Sequence, residues 1–528
     1  MTFDVIVIGS GFGGAITGCR LAESGYKVLI LERGRRWNTN TYPSKTHKDW
    51  IWNQENPERE NGWVDLRLFP HMAVVQGAAV GGGSLIYASV SVEAPKKVFT
   101  RPWPAEITYD ELKPHYDTVA KFMNVQTMPL NQANPRTSLM QRGANEIGRG
   151  DRFRMLPLAV SFDPALAFDI EHPPDESQSK EFTNAQGVKQ GTCIHAGFCD
   201  IGCPVLAKNT LDLNYIPRAE KKNAEVRPLH VVTDVEPIDG GYRVSFDRLE
   251  NGRRTKGSET GRIVIVAAGS LGSTELLFRC RDLNKTLPAI SRFLGRNWSS
   301  NGDFLTPALY PHPPRIYANR GPTISSTIDL HDGAKPGESF WIEDGGFPNL
   351  FGNLMNESPV KLSKGLEPSR LVEGINNTLR NAGPLDNIMP WFAQGIDAGD
   401  GVLELKRPWW FFGPRRLNLR WDVTRSRPLF EAIVDTHRNL SEKTGGVAFP
   451  PIGWAVSQDL ITPHALGGCN MGDTPQDGVV NHQGEVFGYK NLFVADGAII
   501  PTALGVNPSR TIGALAERIA KQIVSEGR

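Results

Sequence analysis

The sequence predicts an α/β fold with α+β character in its second half. A parallel sheet wrapped by helices is interleaved with an antiparallel-sheet domain. Three observations predict it. The chain opens as strand, glycine turn, helix and strand across "FDVIVIGSGFGGAITGCRLAESGYKVLILE". A β-branched run, Ile263 to Ala267 in "RIVIVAAGSLGSTELLFR", likewise ends in glycine and a helix start. Residues 301 to 454 are instead rich in Pro, Gly and aromatics, around the strand-like "GVLELKRPWWFFGPRRLNLRWDV".

Each element has a local reason. "FDVIVIG" is continuously apolar, as a strand buried on both faces must be, and "YKVLILE" repeats the pattern after a helical-period segment. "ITYDELKPHYDTVAKFMNV" carries a Thr108/Glu111 capping box and places Leu112, Tyr116, Val119 and Met123 on one face, which predicts a helix leaving the first domain. "EHPPDESQSKEF" is a polar loop. At the C-terminus Ser509 is expected to cap a helix whose Ile512, Leu515, Ile519 and Ile523 share a face.

Composition narrows the function classes. A chain of 528 residues exceeds what one hydrophobic core usually organises, so two joined domains are expected. Its 58 basic residues against 57 acidic ones, with no basic block, lack the footprint of a nucleic-acid binder. No uninterrupted apolar run approaches the roughly 20 residues that span a bilayer, so no transmembrane segment is expected. The opening "MTFDVIVIGSG" lacks the charged and apolar regions of a signal peptide, which predicts a cytoplasmic protein. Six cysteines there argue against a disulfide framework.

Gly9, Gly11 and Gly14 form G-x-G-x-x-G between the first strand and helix, and Glu32 ends the second strand where a carboxylate bonds an adenosine ribose. Glycines at this spacing permit the tight turn, the approach of backbone N–H groups to a pyrophosphate and close helix packing. The motif predicts a Rossmann-type dinucleotide site without choosing between NAD and FAD.

The remaining segments resemble the glucose-methanol-choline (GMC) family of FAD-dependent oxidoreductases, above all its bacterial cholesterol-oxidase-like members. The resemblance rests on "VVQGAAVGGGSLIYASV" (Val74–Val90), "VAAGSLGSTELL" (Val266–Leu277), "HALGGCNMG" (His464–Gly472) and "GYKNLFVADGAIIPTALGVNPSRTIGALAERIA" (Gly488–Ala520). It implies FAD, an alcohol substrate, and O2 or an electron-acceptor protein as partner. It implies an FAD-binding domain from 1–90, 190–300 and 455–528, with a substrate-binding cap from 91–189 and 301–454. Cofactor contacts are then expected from Gly81, Gly82, Gly83, Ser84, Ala268, Asp496, Gly497 and Pro508, beside the first three glycines and Glu32.

Alcohol oxidation needs a group to take the hydroxyl proton while hydride leaves the carbinol carbon. The resemblance implies His464 as that base, Asn507 as the residue that orients the substrate oxygen, and Glu343 of "FWIEDGGFP" as a third catalytic group, the alternative being an exposed loop carboxylate. Where cholesterol oxidases carry Asn after "VGGGSL", this chain has Tyr87, so a hydrophobic alcohol, cyclic or steroid-like, is expected without sterol itself being specified. "WWFF" (Trp409–Phe412) reads as an apolar entrance, a membrane-resting patch or a packed hairpin. The other readings are a sugar or glycoside dehydrogenase with an iron–sulfur relay, and a redox-neutral flavin lyase.

"TCIHAGFCDIGCP" holds Cys193, Cys199 and Cys203 at C-x5-C-x3-C-P spacing. Zinc sites favour closer pairs and four ligands, so zinc fits poorly. Three thiolates on glycine-rich backbone match a [3Fe–4S] cluster, and some members of the resembled family hold one at similar spacing. The stretch is read either as that cluster's loop or as a compact loop of free thiols.

Overall fold

Phe3–Ile8 (β1) runs through Gly9 into helix Phe12–Glu23 (α1) and strand Val28–Leu31 (β2), in a computed structural model that describes residues 1–46, 50–311, 315–332, 338–348, 387–407, 415–451, 453–454 and 458–528. Trp409 to Phe412 lie outside the described residues. The elements that build the site follow in chain order. They are Val64–Phe69 (β3), Met72–Gly77 (β4), Tyr109–Phe122 (α2), Phe153–Met155 (β5), Glu225–Arg227 (β6), His230–Ile238 (β7), Gly241–Glu250 (β8), Arg253–Val266 (β9) and Gly269–Phe278 (α3). Then come Phe304–Leu309 (β10), Ser326–Leu330 (β11), Phe340–Asp344 (β12), Ile388–Gly395 (β13), Arg427–Thr444 (α4), Val447–Ala448 (β14), Leu460–Thr462 (β15), Leu492–Val494 (β16) and Ser509–Ser525 (α5).

Two large sheets organise the chain. The first has order β6-β2-β1-β9-β8-β7, with β16 also pairing β9. Its inner strands are parallel, with Val5 opposite Val28 and Ile263, while β7, β8 and the first half of β9 form an antiparallel meander. Val5, Ile6, Val7 and Ile263 to Val266 are fully buried, which explains their unbroken apolar character; each such side chain contributes about 1.5–3 kcal/mol. The second sheet has order β14-β10-β13-β12-β11-β5 and is antiparallel throughout. A smaller sheet sets β15 parallel to β4, Thr462 opposite Val74, so the chain leaves both strands at one end, toward the glycine run and toward His464.

Two expected caps are corrected. Pro508, not Ser509, stands at the N-cap of α5, because the Ser509 hydroxyl donates to Val90 O instead. At α2 half the capping box forms: Thr108 accepts from Glu111 N at 3.1 Å, while the Glu111 carboxylate turns to Arg518. That contact, with Tyr116 Oη 2.9 Å from Thr511 Oγ1 and Arg510 Nε donating to Tyr116 O, fastens α2 along α5. Val402–Lys406 and Arg416–Arg420 pair as an antiparallel hairpin.

Candidate active site

The glycine motif lies where the backbone of three segments meets. A Cβ on Gly13 would stand 1.9 Å from Ala495 O, and one on Gly14 2.0 Å from Gly9 O. These glycines let α1 close onto the turn after β16, and Gly13 is a requirement that the G-x-G-x-x-G reading missed. Gly11 and Gly83 differ, since a Cβ on Gly11 meets nothing nearer than 4.0 Å and one on Gly83 nothing within 4 Å. Both face open space, as backbone built for a close-lying ligand does. Helix α1 begins with no side-chain cap and no acidic residue in its first turn, so its N-terminal N–H groups and positive dipole end suit a diphosphate.

The other expected cofactor residues surround this cradle. Glu32 is buried, accepting from Ser10 N and Oγ at 2.9 and 2.7 Å and from Gly34 N at 2.9 Å, and burial raises its carboxyl above the ordinary range. Asp496 spends its carboxylate on Gly269 N, Ser273 Oγ and Ala498 N, locking α3 to the turn that includes Gly497. Ser273 Oγ also accepts from Ala268 N, and Ser84 Oγ donates to Gly81 O. At Asp496 and Ser84 the side chains hold the fold, and only their main chain is left to face a cofactor. Gly82 packs on Gly11, where a Cβ would stand 2.6 Å from Gly11 Cα. These residues fit a dinucleotide laid across α1, the glycine run and the start of α5.

His464, Asn507 and Glu343 come together. Glu343 sits on β12 opposite Phe392 of β13, and the Phe392 ring centroid lies 6.1 Å from that of His464. Gln394 Nε2 donates to Glu343 Oε2 at 3.1 Å, and the Asn507 side chain lies near enough to Glu343 to favour its charged form. Glu343 is therefore a fully buried strand residue, not an exposed loop carboxylate. Burial, then the neighbouring Asp344, holds its carboxyl well above the usual range, against the pull of Asn507 and Gln394. Glu343 Oε1 and Asn507 Oδ1 are both buried without a protein partner, two polar atoms left for a small molecule.

Sequence reasoning missed Asp303. His464 Nδ1 lies 2.9 Å from Asp303 Oδ1, with the carboxylate wholly buried and the imidazole side chain 15 % exposed. An ionised carboxylate only accepts, so Nδ1 carries the hydrogen and Nε2 is the acceptor nitrogen. Thr462 Oγ1 stands 2.5 Å from Asp303 Oδ2 and accepts from His464 N. Burial raises the Asp303 carboxyl, while His464 and Thr462 oppose the rise. Asp303 is 161 residues from His464, with no motif joining them.

The cysteine loop is a separate structure. Cys193 and Cys199 are buried, Cys203 is half-buried, and all are free thiols. Burial raises the Cys199 thiol to about 11 and holds that of Cys193 well above its ordinary value. His195 N donates to Cys193 Sγ at 3.4 Å, and Lys208, itself lowered to about 8 by burial, donates to Leu85 O and Cys199 O. Tyr87 donates to Asn209 O and lies under Lys208. Among the described residues no three His, Cys, Asp or Glu side chains stand so as to hold a metal ion. No helix among them is long and apolar enough to cross a membrane.

Residues 4–153 and 413–516 match family models described as GMC oxidoreductase. A cholesterol oxidase of Mycobacterium tuberculosis is 30% identical over 99% of this chain and 92% of its own length, and one of Acinetobacter baumannii is 29% identical over 99% and 94%. Among solved structures, a formate oxidase of Aspergillus oryzae superposes with a TM-score of 0.65 at 14% identity, covering 99% of this chain and 98% of that one. That likeness is one of fold.

Proposed function

The chain belongs to the GMC oxidoreductase family, and on that premise we propose that it oxidises the hydroxyl of a fairly hydrophobic alcohol to a carbonyl, with His464, Asn507 and Glu343 around the reacting oxygen. The observation that carries the reading is the convergence of a histidine with a defined acceptor nitrogen, a buried amide and a buried carboxyl, two of them with unpartnered oxygens. Bound FAD supplies the hydride acceptor, held by Gly9, Gly11, Gly14, Glu32, the Gly81–Gly83 run, Ala268, Gly497 and the start of α5 at Pro508.

The protein's own residues handle the proton. His464 Nε2 accepts the hydroxyl proton as hydride leaves the carbinol carbon, because its Nδ1 hydrogen is already committed to Asp303. Asn507 and Glu343 hold the oxygen in line. Phe392 beside His464, and names such as cholesterol oxidase and long-chain-alcohol oxidase among the relatives, support an apolar alcohol, cyclic or steroid-like. Tyr87 keeps its hydroxyl on Asn209 O, so it does not replace an amide at the substrate. O2 is the acceptor this reading favours, since oxidases are prominent among the relatives. Free cysteines throughout support a cytoplasmic setting. The two domains follow the two large sheets, with the cofactor on the segments 1–90, 190–300 and 455–528.

The test is anaerobic mixing of the FAD-loaded enzyme with sterols, cyclic and long-chain alcohols and sugars. Bleaching of the flavin band by apolar alcohols is expected. Bleaching by sugars alone overturns the substrate class, and none by any alcohol overturns the reaction. The cluster is left out of the reaction, and iron and sulfide below stoichiometry in anaerobically purified protein is the expected analysis.

A further inference from the structure

We propose that the turn Ser299–Asp303, between the two large sheets, is a positioning element that sets both members of the His464–Asn507 pair by separate branches. This inference rests on the proposed reaction. One branch is Asp303, whose Oδ1 holds His464 Nδ1 at 2.9 Å while Thr462 braces Oδ2 and stands 2.9 Å from Ser300 O. The other is Asn301. Its Oδ1 accepts from Leu504 N and Gly505 N, both at 2.9 Å, and its Nδ2 donates to Val506 O at 2.9 Å. Three consecutive residues before Asn507 are thus pinned by one side chain.

The turn is itself held from outside. Buried Asp397 accepts from Ser299 Oγ (2.7 Å), Ser300 N (2.9 Å), Ser300 Oγ (2.8 Å), Gly302 N (3.3 Å) and Gly399 N (2.9 Å). Asn301 takes φ +58, a left-handed conformation that Asn tolerates better than most residues, and its O accepts from Gly395 N at the end of β13. Nothing here needs to touch substrate. By holding His464 through Asp303 and the 504–506 segment through Asn301, one turn fixes how far the imidazole stands from Asn507, and a misplacement of about 1 Å at such a pair costs on the order of 100-fold in rate.

The branches predict different signatures. Asp303→Asn keeps the shape but removes the charge that stabilises a protonated imidazole. Flavin reduction by an alcohol that bleaches the native enzyme is expected to fall roughly 10- to 100-fold, with the acidic limb of its pH profile moved to lower pH. Asn301→Gly keeps the left-handed turn but frees the 504–506 segment, so the rate is expected to fall about as much at every pH with the limb in place. A third readout does not depend on turnover: the native protein should show a low-field Nδ1–H proton resonance, lost in Asp303→Asn and kept in Asn301→Gly. A native protein without that resonance, or variants that move the pH limb alike, overturn the two-branch turn. If no alcohol bleaches the native flavin, the proposed reaction fails while the resonance still tests the turn.

Discussion

The loop Thr192–Pro204 and the turn Ser299–Asp303 make an instructive pair. The loop is conspicuous in sequence, with three cysteines in one short stretch, and its long-range bonds run to the surrounding scaffold, from His195 Nε2 to Gln132 Oε1, from Trp63 Nε1 to Asp200 O and from Gly321 N to His195 O, each 3.0 Å. The turn, "SSNGD", has no motif, yet it reaches His464, Thr462, Leu504, Gly505, Val506 and Asp397. The difference lies in what the bonds reach, scaffold from the loop and the segments that carry His464 and Asn507 from the turn, and both sets appear only on folding.

If that contrast is right, changes around the turn act on rate and changes in the loop act on stability. The largest effect is expected from His464→Ala, which should lower flavin reduction by roughly 10²- to 10⁴-fold in stopped-flow absorbance while FAD stays bound. An unchanged rate would remove the histidine from the reaction and the turn from its service.

The loop answers in stability. His195 is buried, with Nε2 3.0 Å from Gln132 Oε1, and burial lowers it to about 4. A histidine depressed in the folded state contributes stability present above its unfolded value of about 6.5 and lost as pH falls through 4. Thermal melts of native protein and His195→Gln should therefore converge between pH 7 and pH 4, the native protein losing on the order of 3 kcal/mol more. Parallel melts across that window would show that burial does not set this titration.

Glu343→Gln separates the two regions more finely. The folded carboxyl is raised, so native stability is full below the unfolded value and declines as pH rises through the folded one. The amide escapes that decline, and the variant's melting temperature should gain on the native one with increasing pH, while flavin reduction drops roughly tenfold for want of a properly held oxygen. Smallest of all is Cys203→Ser at the half-buried end of the loop, expected to alter stability by about 0.5 kcal/mol and rate not at all. A large loss of rate there would give the cysteines a chemical role and erase the contrast.

The first sheet was legible because its evidence is consecutive: β1, the glycines, α1, β2 and Glu32 fall within one stretch, and the run to Val266 repeats the pattern. His464 and Asn507 were reached through resemblance alone. Asp303 was not reached, because its meaning depends on β15 delivering His464 beside it. Gly13 escaped because its demand comes from Ala495, hundreds of residues away. Glu343 was placed only by the pairing of β12 with β13, which buries a carboxylate that sequence alone reads equally as surface. Ser509 failed as a cap because tertiary contact with Val90 competes with the helix for its hydroxyl.

The most direct measurement is anaerobic stopped-flow reduction of the FAD-loaded native enzyme and His464→Ala by an apolar alcohol and its α-deuterated form. The account predicts bleaching in the native enzyme, slowed by deuterium, and near loss of it in the variant. Full occupancy by FAD with no bleaching by any alcohol, or bleaching equal in the two proteins, would contradict it.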